Sequence, residues 1–171
     1  VRWAGQSAHR EACRGAGGYT LLEVTVSLAI AVTLLALALP SLRHLLAERK
    51  VVHTAAEVQR ALRSAQQTAS AQAGRLRRVE ARFQAGDRPW VELWGLPWES
   101  AIPTLLWSGP VGPSGVQVRK GGSSAFTVGF AASGSLLAGH QGTLEVRSAE
   151  AVRYVVVSPV TGRVRVSSEP P

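Results

Sequence analysis

From Val24 to Leu42 the chain runs nineteen residues without a charged side chain, bounded by Glu23 before it and by Arg43, Glu48, Arg49 and Lys50 after it. At 1.5 Å per residue a helix of that length covers about 28 Å, close to the roughly 30 Å hydrocarbon core of a bilayer. The run therefore reads as a membrane-spanning helix. Beyond it, Leu42, Leu45, Leu46, Val51, Val52, Ala55, Ala56, Val58, Leu62 and Ala65 recur at spacings of three and four, with no Gly or Pro between Pro40 and Gly74. This pattern predicts one helix from about Tyr19 to about Gln72, bent at Pro40, whose second half is amphipathic and packs on a soluble domain. Gly74 is placed to cap it.

After Gly74 the period changes to two. Val79, Ala81 and Phe83 alternate as a first strand, and Trp90 to Trp94 suggests a second, with Gly86-Asp87-Arg88-Pro89 as the turn between them. Gly95 to Gly115, punctuated by Pro97, Pro103, Pro110 and Pro113, reads as loop. Val116 to Val118, Ala125 to Phe130, Leu136-Leu137, Gly142 to Arg147 and Val152 to Val157 are short strand candidates. The end of the chain is the clearest part: Val152 to Ser158, a Pro159-Val160-Thr161-Gly162 turn, then Arg163 to Ser167 as a terminal hairpin. The fold class expected is α+β, a long N-terminal helix laid on a small, mainly antiparallel sheet.

Glu23 stands at the lip of the apolar run, where an unpaired carboxylate within a membrane costs about 2.5 kcal/mol or more. Gly18 followed by Tyr19-Thr20-Leu21-Leu22-Glu23 resembles the prepilin processing site of type IV pilins and type II secretion pseudopilins. In that family a dedicated peptidase cuts after the glycine, the new first residue is N-methylated, and a glutamate stands fifth. Counted from Tyr19, Glu23 is fifth and Pro40 twenty-second, where pilin helices commonly carry a proline. Tyr19 departs from the phenylalanine usual at that place. The resemblance implies cleavage between Gly18 and Tyr19, methylation of Tyr19, and roles for Glu23 and Pro40 in assembly. It divides the chain into a leader at 1–18, a membrane or filament-core helix at 19–42, an amphipathic helix at 43–74 and a β domain at 75–171.

The rival reading of the apolar run, the core of a secretory signal, calls for roughly 7 to 15 apolar residues followed by a small-residue cleavage site. This run is longer and ends in Pro40-Ser41-Leu42-Arg43-His44. Arg2, Arg10 and Arg14 against Glu11 keep the leader basic, which favours its retention in the cytoplasm and translocation of the domain beyond the apolar run. The resemblance thus implies a single-pass protein of a bacterial inner membrane with its C-terminal domain in the periplasm. Its partners would be other pilins or pseudopilins and the prepilin peptidase and methyltransferase.

Phe130-Ala131-Ala132-Ser133-Gly134, together with Val155 to Val157 and Gly162-Arg163-Val164-Arg165, is similar to the closing segment of the GspH/FimT group of minor pilins and pseudopilins. In FimT-like members a Gly-Arg-x-Arg motif is associated with DNA binding during uptake. Alternation places Arg163 and Arg165 on one face with Val164 and Val166 turned inward, and Arg147, Arg153 and the Arg119-Lys120 pair widen the patch if their strands adjoin. The bland alternative is a charged edge that deters aggregation.

Composition adds mainly exclusions. The net charge of +8 suits an anionic partner, while the one cysteine, Cys13, falls in the leader and leaves no disulfide for the domain. His9, His44, His53 and His140 lack metal-site spacing, and with Asp87 as the sole aspartate and no nucleophile or phosphate-loop motif, neither enzyme nor cofactor is expected. Trp90, Trp94, Trp98 and Trp107 read as core or loop anchors, with a stacking platform as the alternative.

Overall fold

A computed structural model of the chain describes residues 19–159 and 161–170. Gly18, Cys13 and the rest of the expected leader lie outside the described residues. Helix α1 (Leu21–Ala71) is continuous, with Pro40 inside it. The contact pattern divides the chain there into two compact units, one ending at Leu39 and one beginning at Pro40.

In the first unit every side chain from Tyr19 to Leu39 is exposed. α1 is long and apolar enough to cross a membrane. Two of its hydroxyls bond within the helix: Thr25 Oγ1 donates to Leu22 O at 2.8 Å and Thr33 Oγ1 to Ala29 O at 2.8 Å. Such back-bonding supplies both threonine hydroxyls with an acceptor on an otherwise apolar surface.

The second unit holds the rest of α1 and eight strands: β1 (Leu76–Gln84), β2 (Trp90–Pro97), β3 (Thr104–Pro110), β4 (Gln117–Lys120), β5 (Phe126–Ala131), β6 (Gly142–Arg147), β7 (Val152–Val157) and β8 (Val164–Ser167). They form two four-stranded sheets rather than one, ordered β3-β2-β1-β5 and β4-β6-β7-β8, with every pairing antiparallel. The α+β class is as expected. The segment from Gly95 to Gly115 is not all loop, however: β3 pairs with β2 within it. Leu136, expected in a strand, makes only an isolated bridge to Phe130.

Helix period selects the buried face of α1. Val51, Thr54, Ala55, Val58, Ala61, Leu62, Ala65 and Ala69 are buried. Four of these are alanines, which let the strands approach closely. They meet Val79, Ala81, Val91, Val128 and Phe130 of one sheet and Leu144, Val146, Val155, Val157 and Val164 of the other in one core. Each fully buried Val, Leu or Phe stabilises the fold by roughly 1.5–3 kcal/mol. Thr54, the buried polar residue on this face, donates its hydroxyl to Lys50 O at 2.8 Å. A Cβ at Gly112 would collide with its side chain, so the chain between β3 and β4 packs closely on the helix at Gly112.

The helix ends differently from expectation. Gly74 is not among the glycines with positive φ, and so does not form the left-handed cap. Instead Leu76 N–H bonds Gln72 O at 2.7 Å, and the Trp98 indole N–H reaches Ala73 O at 2.8 Å. An aromatic donor from the end of β2 thus satisfies a carbonyl that a terminal turn leaves open.

Candidate functional site

At the helix start, Thr20 is the N-cap: Glu23 N–H donates to Thr20 Oγ1 at 3.2 Å and Val24 N–H to Thr20 O at 3.1 Å. Thr20-x-x-Glu23 has the spacing of a capping box, and a carboxylate in the first turn also complements the helix dipole. Sequence reading assigned Glu23 an assembly role and overlooked this local one, although the T-x-x-E spacing was there to be read. Tyr19 and Glu23 are both exposed, and Pro40 lies within the apolar stretch.

The C-terminal hairpin is β7 paired with β8 as expected. Its turn depends on Gly162, at φ +65°, whose N–H bonds Ser158 O at 3.0 Å. Gly162 is buried: a Cβ there would sit 3.1 Å from Gln66 Nε2 and 3.5 Å from both Gly134 O and Phe130 Cε1. Gln66 Nε2 in turn donates to Gly134 O at 2.8 Å and lies 3.4 Å from Thr161 O. The Phe130–Gly134 segment and the Gly162–Arg165 segment, about thirty residues apart in sequence, therefore meet at one glutamine of α1.

Arg163 and Arg165 are exposed, and neither has a carboxylate within ion-pair reach among the described residues. From α1, Gln59 Nε2 donates to Val164 O at 2.9 Å, and Arg63 Nη2 lies 3.5 Å from the same oxygen. Val164 points inward at 2 % exposure, but Val166 is 39 % exposed rather than buried. β8 is the outer strand of its sheet, so Val166 stands at the edge although its partner across the ladder, Val155, is buried.

The other arginines do not join this group. Arg153 pairs with Val146, whose side chain is buried, so strand alternation turns it toward α1, where Nη2 meets Glu48 Oε1 at 2.7 Å. Arg147 opposes Val152, beyond the end of β8. It lies about 13 Å along the strands and about 10 Å across them from Arg165, and it faces Glu145 at 3.6 Å. Arg119 leans on Gln117 Oε1 at 2.7 Å. Lys120 donates to His140 O at 2.9 Å, and burial holds its ammonium pKa below the usual lysine value.

Three of the tryptophans are tied to the scaffold. Trp94 donates to Glu92 Oε2 at 2.9 Å and takes the Arg82 guanidinium at 5.1 Å from its ring centroid. Trp98 closes the helix, and Trp107 covers the α-carbon of Gly109, leaving no room for a Cβ there. Among the described residues Phe83 and Phe126 stack with ring centroids 4.6 Å apart, and no tryptophan joins them. Among the described residues no three His, Cys, Asp or Glu side chains gather as a metal site. No family model, curated protein or solved structure matches the chain.

Proposed function

We propose that this chain is a minor pilin or pseudopilin subunit of the GspH/FimT kind, acting by assembly into a filament of a type II secretion or type IV pilus machine. The observation that carries the reading is α1. From Leu21 to Leu46 its side chains are exposed, mostly apolar, while from Val51 onward the same helix buries one face in a β domain. A subunit built this way is held in lipid by the first stretch and uses the same surface against like helices once extracted.

In this reading a peptidase cuts after Gly18, Tyr19 becomes the methylated N-terminus, and the β domain stands in the periplasm. The test is maturation. Expressed with a prepilin peptidase, the wild-type chain should yield a species eighteen residues shorter, beginning at Tyr19. Gly18→Glu should abolish that species on a gel and in N-terminal mass analysis. Persistence of the short form in the variant means the processing site lies elsewhere.

A second reading, DNA binding by the hairpin, is favoured by Arg163 and Arg165, both exposed and without a carboxylate in ion-pair reach among the described residues. Each phosphate neutralised releases counterions, contributing about 0.9 to the slope of log affinity against log salt. The full chain in detergent should then bind duplex DNA in a salt-sensitive way, and Arg163→Gln/Arg165→Gln should flatten the slope by about 2. Absent or unchanged binding leaves assembly alone.

A further inference from the structure

Where β4 and β6 run side by side, Gln117 stands opposite Arg147 and Arg119 opposite Glu145. Val118 and Val146 between them are buried, so alternation sets Gln117, Arg119 and Arg147 together on the outer face of that sheet. Two turns close around them. The turn after β1 is tied to the start of β4 by Gly115 N–H donating to Asp87 O at 3.0 Å, and the turn after β6 is fastened by Ser148 N–H to Ala151 O at 2.9 Å. Between them lies a cavity of about 280 Å³ whose lining includes Asp87, Gly115, Gln117, Arg119, Arg147 and Ser148. Gly115, at φ +79°, keeps the space beside it open, since nothing lies within 4 Å of its Cβ position.

The cavity carries positive charge that the chain does not neutralise. Arg119 Nη2 donates to Gln117 Oε1 at 2.7 Å, which fixes the guanidinium against a neutral amide. Among the described residues no carboxylate stands within ion-pair reach of it. Its Nε is buried and makes no hydrogen bond. An arginine cannot shed its proton to relieve that position, and a buried N–H without an acceptor calls for one from outside the chain. Arg147 is only loosely engaged: Glu145 Oε1 lies 3.6 Å from Nη1, beyond hydrogen-bond length, and the side chain is 53 % exposed.

Size and charge narrow the occupant. A cavity of this volume admits a small molecule and not a duplex. Arg119 and Arg147 against Asp87 give the lining one net positive charge, which suits a monoanion better than a phosphate dianion. A guanidinium and a carboxylate are both planar and pair as a fork. We propose that this cavity is a binding site for a small monocarboxylate, held by Arg119 and Arg147, with Asp87 limiting the negative charge it accepts. The site stands apart from Arg163 and Arg165 and depends on neither reading above.

The test is a titration of the isotope-labelled full chain in detergent with sodium acetate, followed by nuclear magnetic resonance through the arginine Nε–H and Gly115 amide signals. Sodium chloride and sodium phosphate at matched ionic strength are the comparisons. Acetate should shift the Arg119 and Gly115 signals along a saturating curve, and chloride should not. Arg119→Gln, followed at Gly115, should weaken binding about tenfold or more, the worth of one charged hydrogen-bond pairing. Asp87→Asn, in an exposed turn, should tighten it severalfold by removing a like charge. Arg163→Gln/Arg165→Gln should leave the curve unchanged, which separates this site from the hairpin. A linear drift common to all three salts overturns the proposal. So does acetate binding that Arg119→Gln leaves intact or Asp87→Asn loosens, or phosphate binding tighter than acetate.

Discussion

Gly162→Val should destabilise the β domain by about 2–4 kcal/mol, read as a lower urea midpoint with the slope unchanged. A left-handed φ costs an L-residue about 1–2 kcal/mol, and more when it is β-branched. The added Cβ also meets Gln66 Nε2 at 3.1 Å, so the bond from that amide to Gly134 O must lengthen or break. That adds roughly 0.5–1.5 kcal/mol. Gly121 is the control: it too has a positive φ, +57°, but nothing lies within 4 Å of its Cβ position. Gly121→Ala should therefore show the conformational penalty alone. If the two substitutions cost the same, crowding around Gly162 contributes nothing and the junction at Gln66 is slack. The glycine of the Gly-Arg-x-Arg segment is thus required by packing, whatever the arginines do.

On the proposed pilin reading, Glu23→Val should leave cleavage after Gly18 intact but impair entry into filaments or N-methylation, and Glu23→Gln should do the same. The capping geometry makes this a clean separation. Thr20 accepts its bond from the Glu23 backbone N–H, which valine and glutamine retain. A purely local role predicts that either variant loses only the dipole interaction, about 0.3–1 kcal/mol, with assembly nearly normal. An assembly role predicts near-complete loss, because the carboxylate offsets the N-terminal ammonium of a subunit in surroundings where the dielectric is low. Thr20→Ala gives the reverse case, a cap lost at about 1 kcal/mol with the charge kept. Quantification of incorporated subunits in sheared filaments decides it, and wild-type levels for Glu23→Gln would end the charge-pairing account.

Local patterns were legible and long-range pairings were not. The expected helix limits, about Tyr19 to about Gln72, fall within two residues of Leu21–Ala71, because apolar spacing, and the absence of Gly and Pro between Pro40 and Gly74, act within one turn. Gly142 to Arg147 and Val152 to Val157 were equally plain from alternation. β3 was missed because Pro97, Pro103 and Pro110 read as loop punctuation, whereas on an outer strand a proline at the boundary costs no ladder bond. Nothing in the spacing shows that β5 joins β1 and not β4, which splits the strands into two sheets. The basic hairpin was visible, but its membership was not. Arg153 falls outside it because strand alternation aims its side chain at Glu48.

The bond from Gln59 to the carbonyl of Val164 links residues 105 positions apart, and Val164 itself completes the core. During synthesis the apolar stretch of α1 emerges first, and the helical face that must be covered comes directly after it. Its cover in the second sheet arrives last. The domain therefore cannot close until nearly the whole polypeptide has been made, and the face from Val51 to Ala69 waits uncovered in the meantime. On the proposed reading, in which α1 enters a membrane, that delay would keep the trailing part threadable while it crosses and defer folding to the far side.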